Sequence, residues 1–194
     1  VTAPVEQYQA DTEALAASTV VGVLAVYAAL QAGQVSVPEA GLVIATAVVT
    51  ANAVATTLAD AYVAAHIEQA TGVPTPTVGL PPRDDTERLT KAVEKILDEQ
   101  EDEPVDTAAM RIERLAHSEP LAAAQQSTVE VMAGQPAVVG WRRQMDADPC
   151  ELCQFWYSGG RIYRTTTAFQ SHPGCNCQPE PVFTTTTKKE HIAS

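Results

Sequence analysis

No lysine or arginine occurs before Arg83, and no cysteine before Cys150. The first absence removes the basic n-region of a secretory leader, so no signal peptide is expected at the N-terminus. It also removes the basic flanks that orient a membrane span and the cations that would grip a phosphate backbone. Acidic residues are plentiful. Residues 1–140 hold 6 Lys/Arg against 19 Asp/Glu, a balance of −13, whereas residues 141–194 hold 6 against 5, or +1. The long first part is therefore expected to contact proteins, and only the short second part to approach DNA. Catalytic signatures are missing too: neither His-Glu-x-x-His nor Gly-x-Ser-x-Gly occurs. His117 and Ser118 are neighbours whose side chains diverge on a regular helix, His66 lies on an apolar run, and His191 stands in a polar tail. A catalytic triad would have to be assembled by the fold, and an enzyme is not the expectation.

Two long stretches, Ala14–Leu30 and Ala40–Ala59, are uncharged. Their Ala, Val and Thr content transfers weakly to lipid, and Asn52 interrupts the second, so no membrane span is expected. Two long helices packed through small side chains fit better. The first is expected over about residues 5–31, with Gly33 at its C-terminus. Ser36-Val-Pro-Glu39 is a capping-box pattern that opens the second. There Ile44, Ala47, Val48, Ala51, Val54, Ala55, Leu58 and Tyr62 recur at helical spacing as one apolar face, and Gly72 followed by Pro74 ends it. Residues 73–83, rich in proline, read as a linker. Asp84 to Glu87 starts a third helix that runs to an acidic end at Asp98, Glu99, Glu101, Asp102 and Glu103, where negative charge opposes the helix dipole. Asp106 is placed to cap a fourth helix, which Ser118-Glu-Pro120 interrupts or restarts and Gly134 ends.

The second part is organised by cysteine. All four cysteines lie between Cys150 and Cys177, and His172 sits among them. Cys150-Glu-Leu-Cys153 brings two sulfurs together on one turn, and His172-Pro-Gly-Cys175-Asn-Cys177 returns three more donors. Five candidates serve a tetrahedral ion that needs four, and a filled shell of thiolate and imidazole describes structural zinc. Spacing does not decide which four bind. Two disulfides are the alternative, although a chain of 194 residues can build a core without staples. A redox Cys-x-x-Cys lacks its βαβ surroundings. Short strands are expected at 138–145 and 161–165, with the aromatics 155–157 packed beside the metal and an extended arm after Pro179. Arg142, Arg143, Arg161 and Arg164, close to Trp156, Tyr157 and Tyr163, form a possible nucleic-acid contact; packed aromatics and solvated arginines are the plainer account.

Gly140-Trp141-Arg142-Arg143, Asp148-Pro149-Cys150-Glu151-Leu152-Cys153, Gly160-Arg161-Ile162-Tyr163 and His172-Pro173-Gly174-Cys175-Asn176-Cys177 together resemble the C-terminal module of the phage Mu protein F-like minor head proteins, in the form found in phages of actinobacteria. The resemblance covers residues 140–177. It implies a minor capsid or head-morphogenesis protein, assembled in the host cytoplasm into the virion in several copies, with portal or major capsid protein as partner. It also implies capsid maturation protease as a second reading, because some related phage genes carry that label. A nucleic-acid-binding zinc module in the phage head is the third.

The fold class expected is mainly α: long Ala-rich helices followed by a small β-rich zinc-binding module. The divisions are a helical hairpin over 1–72, a linker over 73–83, an acidic helical segment over 84–134, the Cys/His module over 135–180 and a tail over 181–194.

Overall fold

The computed structural model describes residues 3–100 and 107–183. The acidic turn at Glu101–Glu103, the cap expected from Asp106 and the tail from residue 184, His191 included, lie outside the described residues. The fold is mainly helical with one small antiparallel sheet. Four long helices, α1 (Pro4–Gln31), α2 (Val37–Thr71), α3 (Thr86–Gln100) and α4 (Ala108–Gly134), precede β1 (Val138–Gln144), α5 (Glu151–Tyr157), β2 (Ile162–Tyr163) and β3 (Gln178–Phe183).

Local chemistry explains the helix limits. Ser36 and Glu39 close a reciprocal capping box at the start of α2: Glu39 N–H donates to Ser36 Oγ, and the Ser36 N–H donates to Glu39 Oε2 at 2.9 Å. Gly72 takes the left-handed conformation that ends this helix, with φ +70°. Asp84 Oδ1 accepts from Thr86 N–H at 3.0 Å where α3 begins. At α4 the first free N–H groups, those of Thr107 and Ala108, donate to Gln100 Oε1 at 2.7 and 2.8 Å, so the side chain ending α3 caps the helix that follows. Pro120 neither stops nor restarts α4. The helix runs through it because Ala116, Pro120, Leu121 and Ala124 are all buried, and that packing outweighs one lost backbone hydrogen bond.

α2 is the central helix, packed against α1, α3 and α4. Its buried surface is therefore wider than a single stripe. Ala45, Asn52, Thr56, Ala59, Asp60 and Val63 join the expected face, while Val54 is exposed. Both α1 and α2 are long and apolar enough to cross a membrane by length and composition. Here they pack on each other through small residues.

Asp60, with 5% exposure, is a buried carboxylate in the otherwise uncharged middle of α2. It accepts from Val78 N–H (2.8 Å), Gly79 N–H (2.7 Å) and Leu80 N–H (3.3 Å), which fastens the proline-rich segment across the bundle. Such charge-assisted bonds are the stronger class. Asp60→Ala is expected to cost about 2–3 kcal/mol and to free this segment. Limited proteolysis should then cut within residues 74–82 well before the rest of the chain; a wild-type cleavage pattern would count against the strap.

The sheet has the order β2-β1-β3, with both outer strands antiparallel to β1. Arg142 and Glu180 stand directly opposite each other and form a two-point ion pair at 2.6 and 3.0 Å. Trp141 pairs with Tyr163 and stacks on it, centroids 4.4 Å apart. β3 includes residues 179–183, which the sequence reading gave to an extended arm; alternation is masked there by Pro179 and Pro181, and pairing with β1 makes the strand. The second strand is only two residues long.

Packing continues past the end of α4. One apolar cluster joins Val5, Tyr8, Tyr62 and Met132 of the bundle to Val138 and Trp141 of β1, and Phe183 packs against it. His66, on α2, lies between the rings of Tyr62 and Phe183, at 5.7 and 5.5 Å. Burial lowers its pKa, so it is a packed, neutral histidine.

Candidate metal centre

The Cys-x-x-Cys pair lies on α5. Cys150 is its N-cap and Cys153 is in its first turn, buried, so both sulfurs sit at a helix N-terminus. The N–H of Cys153 points at Cys150 Sγ and lowers that thiol's pKa. The helix was not anticipated, and it turns Phe155 outward to 78% exposure, away from the metal where the aromatic run had been placed.

The returning segment brings the other donors to the Cys-x-x-Cys pair, His172 to both sulfurs and Cys175 and Cys177 to Cys153. His172 Nε2 is 3.1 Å from Cys150 Sγ and 3.3 Å from Cys153 Sγ, and Cys153 Sγ is 3.5 Å from Cys175 Sγ. Two donor groups result, Cys150–Cys153–His172 and Cys153–Cys175–Cys177, with Cys153 common to both. All four cysteines are free thiols. Donor separations of about 3.3–3.8 Å follow from tetrahedral zinc bonds of about 2.0–2.3 Å, so the set suits such an ion.

The four thiols interact electrostatically. Cys175 is held down at about 5, first by the hydrogen bond from the Cys177 thiol. Cys177 is pushed up by that same bond, and Cys153 is pushed up to about 12 by burial. Four crowded thiols share their protons in this way because they cannot all ionise together. A bound cation reverses that logic and stabilises every thiolate near it. For His172, burial works against charging, but its bond to the Pro173 carbonyl and the neighbouring thiolates raise the pKa overall. Nδ1 lies 3.1 Å from Pro173 O; donating there leaves the lone pair on Nε2, facing the sulfurs.

The bundle holds this segment from outside. Gln125 of α4 donates through Nε2 to the carbonyls of Cys175 (2.6 Å) and Cys177 (2.9 Å), all buried. Asn176, between those cysteines, donates to Gln9 O at 2.8 Å and accepts from Thr12 Oγ1 at 2.9 Å, both on α1. Gln9 also donates to Met145 O and Asn176 O. None of Gln9, Thr12 or Gln125 was singled out from sequence; a glutamine or threonine on a helix gives no local hint of a partner 50 to 167 residues away. Gln125→Ala leaves two buried carbonyls without a donor and is expected to cost about 2–4 kcal/mol. Thermal unfolding monitored by tryptophan fluorescence should show the drop.

The arginines expected at a nucleic-acid contact are scattered. Arg142 is paired with Glu180, Arg143 is buried, Arg161 lies over the Tyr163 ring, and Arg164 is exposed. His117 Nε2 is 3.0 Å from Glu13 Oε1, and Ser118 Oγ is buried without a partner. Among the described residues, the contacts between a hydroxyl or thiol and a histidine are those of Cys150 and Cys153 with His172.

The family model of the VG15 protein matches residues 2–193, which is nearly the whole chain. The chain belongs to the VG15 protein family. That makes it a phage protein. No curated protein and no solved structure matches it. In this member of the family the Cys/His cluster is a set of donors able to hold a metal ion, with its Cys175–Cys177 segment held against the helical bundle by Gln125 and Thr12.

Proposed function

We propose that this VG15 protein is a minor capsid, or head-morphogenesis, protein of the phage virion, whose C-terminal module is held by structural zinc. Two groups of donors, Cys150–Cys153–His172 and Cys153–Cys175–Cys177, joined through Cys153 in a segment pinned by α1 and α4, are the observation that carries this reading. Zinc supplies cross-linking in a module too small for a full apolar core, and its filled shell leaves no place for a reacting water. The inner set proposed is Cys150, Cys153, His172 and Cys175, the four joined by direct contacts of 3.1–3.5 Å. Cys177 backs Cys175 through its thiol. Metal analysis of single serine variants tests the set: Cys177→Ser keeps one zinc per chain, and Cys153→Ser loses it.

The acidic outer surface of the bundle supports protein partners, for which portal and major capsid protein are proposed. Bulk negative charge repels DNA, leaving at most the neighbourhood of Arg161 and Arg164 for such contact. Mass spectrometry of purified particles should find the chain at constant copy number through salt washes. Its absence from particles, with host lysate as its only location, would overturn the virion reading. The protease alternative draws no support from the described geometry, where no nucleophile–base pair stands apart from the cysteine cluster.

A further inference from the structure

β1 turns one arginine inward. Arg143 is 2% exposed, with its guanidinium 4.0 Å from the Phe169 ring centroid and 5.4 Å from that of Trp156. Nη2 donates to the Gln170 carbonyl. Nε and Nη1 have no hydrogen-bond partner and are closed off from water, so hydration does not make up the deficit. No carboxylate of the described residues pairs with it; the arginine ion pairs there are those of Arg83, Arg88, Arg111 and Arg142. A guanidinium does not give up its proton, and aromatic faces attract it without accepting its in-plane N–H groups. A buried charge left in this state is expensive.

A cavity of about 60 Å³ adjoins it, lined by Trp141, Arg143, Trp156, Tyr163, Thr167 and Gln170 among others. That is room for about two waters, the size of a carboxylate group. Tyr163 and Thr167 also line a second, wider recess, of about 450 Å³, which carries the exposed Arg161 and Arg164. Neither lining contains an acidic residue. We propose that this cavity, enlarged as its wall yields, is a binding site for a single carboxylate group, admitted past Arg161 and Arg164 and held by Arg143, whose orphan donors Nε and Nη1 the moving wall uncovers. The wall that yields is residues 164–171, a stretch without helix or strand. The carboxylate comes either as a free small acid or as an acidic side chain offered by another protein. A charge-assisted bond to the guanidinium is the shared recognition.

Both tryptophans of the chain line this cavity, so intrinsic fluorescence reports on it directly. The metal-loaded full chain is titrated with sodium acetate, with N-acetyl-aspartate amide and, as control, with sodium chloride, at constant pH and ionic strength. A saturable change with either carboxylate and none with chloride is expected. Equal or tighter binding of the capped aspartate assigns the site to a protein side chain, and binding of acetate alone to a free acid. Arg143→Gln should weaken binding at least tenfold. Because that variant could misfold, Arg161→Gln/Arg164→Gln, both exposed, provides a second reading with an expected loss of about threefold. Identical responses to acetate and chloride, or a response that does not saturate, overturns the proposal.

Discussion

Chelating the proposed zinc from the reduced protein is expected to release residues 146–174 while α1–α4 stay folded. Hydrogen exchange should show the difference, with protection lost over α5, β2 and the His172 segment and retained in the bundle. Tryptophan emission should shift to the red at the same time, since Trp141 and Trp156 both lie in the C-terminal part. The reasoning starts from what else holds each piece. β1 and β3 share an apolar cluster with α1, α2 and α4, and Asn176 is clasped by Gln9 and Thr12. α5 has Cys153 as its one buried residue. Remove the ion, and α5 is tied down by the Tyr163 hydroxyl, which donates to Trp156 O at 2.8 Å, and by the Trp156 ring beside Arg143 and His172. Apparent binding free energies of structural zinc are on the order of 10 kcal/mol, larger than any single contact here. Cys153→Ser, which removes the donor common to both groups, should mimic chelation. Helical signal lost across the whole chain would refute the division into two parts; no change anywhere would refute a structural metal.

The same centre sets a pH dependence. Thiols bind the ion as thiolates, so protons compete with it. In the metal-free protein Cys153 is held at about 12 and Cys177 is raised, while Cys175 lies at about 5. Binding at neutral pH therefore expels the proton of Cys153, the raised thiol of the proposed inner set, and metal-derived stability falls as pH drops. Protonation of His172, whose pKa is raised, acts in the same direction.

How much of this could be read from the chain depends on how local the information is. Ser36 with Glu39, and Gly72 before Pro74, are neighbours in sequence, so the limits of α2 were legible. The five donors were legible because metal chemistry restricts their types and spacing. Asp60 was not, because an acidic residue in an apolar helix announces burial only once the segment 78–80 is seen crossing it. Arg143 misled in the opposite way. Next to Arg142 it reads as half of a basic patch, yet alternation along β1 sends one arginine to Glu180 at the surface and the other under Phe169. Pro120 and Pro181 carried breaker signals that tertiary packing overrode.

Gly140→Val is expected to destabilise the C-terminal part by about 3 kcal/mol, while Gly22→Ala raises stability by about 0.5–1 kcal/mol. The two glycines look alike in sequence and differ in surroundings. A Cβ at Gly22, on the outer face of α1, meets nothing within 4 Å, so alanine there only removes the entropy cost of a mid-helix glycine. A Cβ at Gly140 would overlap the backbone oxygen of Tyr163 and meet Ile162 Cγ2 at 3.0 Å. β2 is two residues long, so it has no ladder with which to resist displacement. Moving it separates Tyr163 from Trp141, breaks the Tyr163 bond to Trp156 O, and loosens the helix that carries Cys150 and Cys153. Calorimetry of both variants should therefore move in opposite directions, and Gly140→Val should also weaken zinc retention against a chelator. An unchanged zinc affinity alongside a lowered melting temperature would show that β2 supports the sheet without steadying the metal.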